Sequence, residues 1–408
     1  MIGKKNNQKI LCFTLSCLIC FPAISYAVTN LARVWRIPFI SNLASPIVYG
    51  VFFTSLLLAI FKTIGKLSLG RLLITAFIMV SFLMTSLINR DAAKYMWTRG
   101  SDILYNPAYV FWLYSFSAFL LSDRLWDMQM FSQMFKRFSV MTIILALLQY
   151  IVALSQETIP EYMTFSYNIL MPTVFLTIQN IQSRNWKTTV ISVIGMLLVL
   201  IAGCRGALLG LLISLAIFIL VADDITFKKK FFTITLSIIM CIVVAAFWGR
   251  ILQGLVALLD TLKIPSRTVS LLAEESFFDD SGRGAILEKA SSQIGIIGYG
   301  LYGDRILLRG GYVHNLVIEL LVDYGFVLGF VIIVALLAVI LKALRYADRE
   351  SKVFMCALIS IGVIKMMFSG SYLNKEPGLY LLLGICMNTI RQKSRGVTKN
   401  EDSTNQYG

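Results

Sequence analysis

The chain has 408 residues, 57% of them hydrophobic and only 14% charged, with a mean hydropathy of +0.76. So few polar residues cannot cover the surface of a soluble protein of this length. The formal net charge of +15 would suggest nucleic acid in a soluble protein; here it fits basic loops on the cytoplasmic side of a membrane, and nucleic acid is set aside as a partner.

Apolar stretches are read near residues 9–28, 46–61, 71–88, 107–122, 138–155, 163–181, 188–203, 206–222, 231–249, 315–341, 353–371 and 378–390. A helix needs roughly 20 such residues to cross hydrocarbon. Phe330 to Leu341 is apolar at every position and does not alternate, which argues for helices that pair their own backbone groups and against barrel strands. The predicted fold class is an all-α integral membrane protein with about twelve transmembrane helices and one long extracytoplasmic loop.

At the N-terminus, Lys4 and Lys5 precede an apolar run that ends near Ser25-Tyr26-Ala27. The pattern resembles a cleavable signal peptide, but the many later spans favour an uncleaved first span. Cys17 and Cys20 form a CxxC inside this run, and no second pair follows at zinc-site spacing. They read as small apolar side chains in a helix.

Charge orients the spans. Alternate connections carry Lys62, Lys66 and Arg71; Arg124, Lys136 and Arg137; Arg184 and Lys187; Lys228 to Lys230; and Lys342, Arg345, Arg349 and Lys352, while the tail adds Arg391, Lys393, Arg395 and Lys399. Basic loops stay inside, so both termini are expected in the cytoplasm. The organisation is then a hydrophobic multi-span region at 1–249, a long extracytoplasmic loop at 250–313, C-terminal spans at 314–394 and a polar cytoplasmic tail at 395–408. Long loops in compact proteins usually serve function. Stretches such as Ile251 to Leu262 and Ile286 to Ile294 have the periodicity of amphipathic interfacial helices.

Several residues could carry chemistry. His314, the only histidine, closes the loop at a membrane boundary, where water and a lipid-borne substrate could meet. Arg205 lies in Gly203-Cys204-Arg205-Gly206, at the start of a predicted inward-running span. A helix N-terminus plus a guanidinium suits an anion such as phosphate; the alternative is an arginine snorkelling to headgroups. Arg283 follows Asp279-Asp280-Ser281-Gly282 at a predicted helix start, and Arg305 and Arg309 flank a glycine-rich piece before His314. Arginines on the side where topology does not ask for them suggest an anionic ligand. Gly298, Gly300 and Gly303 spell GxGxxG without a strand–helix context, so they read as turn glycines that let the loop approach the membrane. Glu319 and Asp323 share a helix face, roughly 7 and 13 Å below His314. Lys365 falls at a matching depth on the neighbouring span, so a buried ion pair or triad is predicted.

Three pieces, in order, then carry a resemblance: Gly203-Cys204-Arg205-Gly206-Ala207-Leu208; Ser281-Gly282-Arg283 followed by Gly298-Tyr299-Gly300; and Tyr312-Val313-His314-Asn315 leading to Glu319 and Gly325. The chain resembles the superfamily of O-antigen polymerases and ligases, membrane glycosyltransferases acting on undecaprenyl-diphosphate-linked glycans. The motifs cover the second half of the chain, and Cys204 stands where serine often precedes the arginine. The His-Asn-x-x-x-Glu pattern and Phe368-Ser369-Gly370-Ser371-Tyr372 look more like the polymerase (Wzy) branch; the ligase and a flippase of lipid-linked sugars are the alternatives.

The resemblance implies a GT-C-like fold and glycosyl transfer with inversion at the outer face of the bacterial cytoplasmic membrane. Undecaprenyl-diphosphate-linked oligosaccharide would serve as donor and acceptor. Arg205 and Arg283 would stabilise the diphosphate and His314 would act as general base. Arg305, Arg309, Asn315 and Tyr299 would bind substrate, and Glu319, Asp323 and Lys365 would support the site. No cofactor and no metal are implied; membrane lipid is a partner, and a chain-length regulator protein is left open.

Overall fold

In a computed structural model, the protein is described at residues 2–35, 38–63, 67–98, 106–155, 161–183, 185–202, 204–223 and 283–404, with isolated positions at 226, 228, 230 and 257. These residues are helical and turn-like, with no strand among them. The helices are α1 (Ile2–Val34), α2 (Pro38–Thr63), α3 (Leu69–Ile88), α4 (Arg90–Thr98), α5 (Pro107–Ser122), α6 (Met128–Ser155), α7 (Tyr162–Ser183), α8 (Trp186–Ala202), α9 (Arg205–Val221), α10 (Arg283–Ser291), α11 (Gly303–Leu307), α12 (Leu316–Tyr346), α13 (Arg349–Phe368) and α14 (Pro377–Thr404).

Every predicted apolar stretch among the described residues falls on a helix; the one at 231–249 lies outside them, as does nearly all of the predicted loop from 250 to 282, including the Ile251 to Leu262 stretch. Among the described residues, five helices are long and apolar enough to cross a membrane: Lys5–Val34 within α1, α3, α6, α12 and α13. Four more apolar helical segments are shorter, at 10–17 residues. Cys17 and Cys20 lie buried in α1.

Local chemistry sets several helix starts. Asn106 caps α5, its side chain accepting from the amides of Ala108 and Tyr109, with Pro107 at the first helical position. Asn315 caps α12 in the same way, accepting from Val317 and Ile318 at 3.1 Å each. Asp348 caps α13 through the Ser351 amide at 2.8 Å.

The chain forms two compact units. One contains residues 20–51 and 136–279. Within it α7 packs along α8 and against α9. A Cβ at Gly195 would stand 2.5 Å from the Thr173 hydroxyl, so glycine lets α8 approach α7 closely there. Arg205 opens α9 after Cys204.

The other unit contains residues 1–19, 52–135 and 280–408. In it α14 packs against α5, α12 and α13. One end of this bundle is locked by buried Arg71 of α3. Its Nε meets Asp123 at 3.0 Å, Nη1 donates to Ser122 at 2.9 Å and Nη2 to the Gly384 carbonyl at 2.8 Å. Arg391 of α14 reaches the same carboxylate at 2.9 Å but is one-third exposed.

At the opposite end, α12 breaks. Gly325 has φ 79° and ψ 170° inside an otherwise helical run. A break frees backbone groups that must find partners elsewhere. The segment from Gly295 to Gly300 supplies them: Tyr299 N donates to Val322 O and Gly300 N to Asp323 O, both at 2.9 Å, while Phe326 N donates to Gly295 O at 2.8 Å. A Cβ at Gly298 would lie 2.2 Å from Asp323 O, and one at Gly325 2.3 Å from Ile296 O. These two glycines permit backbone to lie on backbone.

Breaking a buried ion pair by removing one partner costs about 3–5 kcal/mol. Arg71→Met is therefore expected to lower unfolding free energy by that order. Arg391→Met, at a partly exposed pair, is expected to cost about 1 kcal/mol or less. Thermal or denaturant unfolding of the purified protein checks the ranking.

Candidate functional site

The predicted residues from Arg283 onward gather where α10, α11, the start of α12 and the linker between α13 and α14 meet, all within one unit. A small apolar core holds them. Ala290, Val313 and Val322 are buried, and Leu287, Ile294, Leu307, Leu308 and Ile318 pack on them. This core fastens α10, which begins with Arg283, to the strand of chain that carries His314.

At the centre lies Arg305, 1% exposed. Its Nη1 bonds Asp304 at 2.5 Å and Glu319 at 2.6 Å, and its Nη2 donates to the Ser371 hydroxyl and to Asn374 at 3.4 Å. The rings of Tyr302 and Tyr312 lie 5.3 and 5.4 Å from the guanidinium carbon. Burial opposes the charge of Arg305, but Glu319 and Asp304 outweigh it and hold the guanidinium protonated well above its ordinary range.

The carboxylates are satisfied on every side. Glu319 accepts from the Ser371 hydroxyl at 2.5 Å and the Tyr372 amide at 3.3 Å. Asp323 accepts from the Tyr372 hydroxyl at 2.7 Å and the Gly303 amide at 3.1 Å. Asp304 accepts from the Val313 amide at 3.1 Å. Burial, then Asp323, push the Tyr372 phenol well above its usual range, so it stays a donor.

This arrangement differs from the predicted triad in its cation. Lys365 pairs with Glu376 at 2.6 Å instead, and Arg305 stands between Glu319 and Asp304. The sequence shows no metal-ligand cluster, whereas the fold brings Asp304, Glu319 and Asp323 within 4.8 Å of one another. A carboxylate set of that kind suits a hard cation; here the guanidinium of Arg305 supplies positive charge to two of the three.

His314 sits beside this cluster at φ 58°. The left-handed region costs a non-glycine residue on the order of 1–3 kcal/mol and persists only where neighbours over-determine it. Here the neighbours are Val313, tied to Asp304, and Asn315, which caps α12. The imidazole lies against Tyr312, ring centroids 3.8 Å apart, and its buried Nδ1 has no hydrogen-bond partner among the described residues. Burial, then Arg283 and Arg305, lower its pKa from the ordinary 6.5 to about 4.

Arg283 donates to the carbonyl of Phe368, and the Tyr312 hydroxyl to that of Ser369 at 3.4 Å. Arg309 is exposed at φ 54°. Tyr299 is 38% exposed, its amide and carbonyl held by Val322 and Asn89. Asn315 acts as the α12 cap. Arg205 belongs to the other unit and opens α9 there. Arg305, predicted to meet substrate, is instead bonded to protein carboxylates. Asp304, Tyr302 and Asn374 were not legible as site residues; an acid directly beside an arginine in a glycine-rich turn is the signal that points to Asp304.

An apolar cavity of about 320 Å³ adjoins the cluster, lined among others by Ile74 and Phe77 of α3, Leu320 and Leu336 of α12, Leu383 of α14, and Tyr372. No family model, curated protein or solved structure matches the chain.

Two outcomes test this geometry. Arg305→Met strands buried carboxylates and is expected to cost about 3–5 kcal/mol of stability; Glu319→Gln should cost less in that background than alone, because the two residues share one network. Near wild-type unfolding of Arg305→Met contradicts the placement. Second, an NMR titration of the single histidine is expected to show a midpoint near 4. Between about pH 4 and 6.5 the unfolded chain binds a proton that the folded one refuses, so stability from this group rises with pH across that window and is lost as pH falls through it. A midpoint near 6.5 refutes the burial and charge described.

Proposed function

We propose that the chain is a polysaccharide polymerase of the O-antigen polymerase kind, joining undecaprenyl-diphosphate-linked repeat units at the outer face of the bacterial cytoplasmic membrane. In this reading the chain crosses the membrane about twelve times, in a GT-C-like arrangement with both termini cytoplasmic. The observation that carries the reading is His314: a neutral, half-buried imidazole in a left-handed conformation, beside Arg283 and at the mouth of a long apolar helix. The neighbouring apolar cavity suits a substrate that is lipid at one end and anionic at the other.

The chemistry balances without an added oxidant or reductant. An acceptor hydroxyl oxygen bonds the donor's anomeric carbon, and the bond from that carbon to the diphosphate oxygen breaks. The hydroxyl proton passes to His314, and undecaprenyl diphosphate leaves with the electron pair. Arg283 and, by the resemblance, Arg205 stabilise the charge growing on the leaving group. A histidine with a pKa near 4 is unprotonated at neutral pH but weakly basic. A bound diphosphate would offset the field of Arg283 and Arg305 and raise that basicity when it is needed.

His314→Ala is expected to reduce polymer formation by about 10²–10⁴-fold in cells. Arg283→Lys and Arg205→Lys should each lower it by about 10²–10³-fold, since lysine lacks the two-pronged guanidinium. Surface glycan on a gel would collapse to a single-repeat band. Lipid-linked polymer with bare core would indicate ligation instead, and wild-type polymer from His314→Ala would sink the base assignment.

A further inference from the structure

Ile296 and Ile297 are 78% and 85% exposed, at the tip of the turn that lies on the α12 break. Large aliphatic side chains so fully presented, side by side on a turn, ask for an apolar surrounding. Their position says which one. The turn is bound by three backbone hydrogen bonds to Val322, Asp323 and Phe326. From Phe326, α12 runs on to Tyr346 with a row of exposed apolar side chains, including Phe326 at 56%, Phe330 at 55% and Leu337 at 56%. That run is long enough to cross a hydrocarbon layer of about 30 Å, with Lys342 and Arg345 near its far end. Phe326 therefore falls at the near boundary of the hydrocarbon. On the other flank, Leu87 and Ile88 end α3 at 69% and 74% exposure, and the adjacent Asn89 holds the Tyr299 carbonyl at 2.9 Å. The isoleucines thus continue an apolar band presented by two candidate spans.

We propose that the turn from Gly295 to Gly298 is a lipid-embedded wedge, its two isoleucines sunk in the acyl-chain region at the edge of the bilayer. Its partner is bilayer hydrocarbon, not a soluble protein and not a second copy of the chain. The backbone groups of the turn that face α12 are paired there, which makes immersion of this edge tolerable. The turn leads from α10 to α11, so the wedge fixes the height of Arg283 and Arg305 relative to the membrane surface. The inference stands apart from the glycosyl-transfer reading, because it concerns where the turn sits and not what the site transforms.

The test uses the full chain in nanodiscs of phosphatidylethanolamine and phosphatidylglycerol, with native cysteines replaced. A nitroxide is placed at Ile297→Cys, and in separate proteins at Phe330→Cys on the exposed α12 face and Lys289→Cys on the polar side of α10. Collision with oxygen, which concentrates in hydrocarbon, is compared with collision with a water-soluble nickel chelate. The wedge predicts an oxygen-to-nickel ratio at 297 close to that at 330 and several-fold above that at 289. A ratio matching 289 overturns it in favour of a water-exposed loop. A label immobile and shielded from both reagents overturns it in favour of a protein partner. Ile296→Cys repeats the measurement should the 297 variant fail to assemble.

Discussion

The site depends on one buried guanidinium. Arg305 carries its charge into a place nearly free of water because Asp304 and Glu319 stand within 2.6 Å of it. An uncompensated charge there would be expensive, and so would any one of the carboxylates alone. Arg305, Asp304 and Glu319 are therefore buried as one unit. Each carboxylate then draws in backbone: Asp304 the Val313 amide, Asp323 the Gly303 amide, Glu319 the Tyr372 amide. The turn and helix around Arg305, the start of α12 and the distant α13–α14 linker are fastened by this one charge network. The strained His314 is held because its neighbours on both sides are fixed, one by the network and one by a helix cap.

The break in α12 follows from the same need to satisfy buried polar groups. A continuous helix would pair Val322 with Phe326 and leave the loop before α11 with nothing to bind. Gly325 opens the helix, and the turn from Gly295 to Gly300 completes the hydrogen bonds. Both sides of the contact require glycine, Gly298 on one and Gly325 on the other. The break thus turns a long apolar helix into a platform, and the loop that rests on it leads to both Arg283 and Arg305. The far end of the bundle uses a separate charge lock, Arg71 with Asp123.

Much of this was legible in the sequence because hydropathy and period are local. The helices fall where apolar runs predict, and Glu319 and Asp323 share a face as their spacing of four requires. Gly298 and Gly300 of the GxGxxG stretch serve a turn, as the missing strand–helix context implies, whereas Gly303 opens α11. Pairing across the chain was not legible. Lys365 and Arg305 are both cations within reach of the predicted depth, and sequence offers no means to tell which one meets Glu319. The outcome rests on a left-handed turn at Tyr302 (φ 61°) that aims Arg305 inward. Nor does sequence reveal that Arg283 is turned to a backbone carbonyl of the α13–α14 linker. Such contacts depend on tertiary packing, which propensity does not encode.

The central claim, that Arg305 fastens three segments as one unit, is tested most directly by hydrogen–deuterium exchange on Arg305→Lys, which keeps the charge but loses the fork. The account predicts that peptides covering 299–315 and 369–376 lose protection together, while those covering 384–391 near Arg71 keep theirs. Loss confined to residues 303–307, with the linker unchanged, would contradict it.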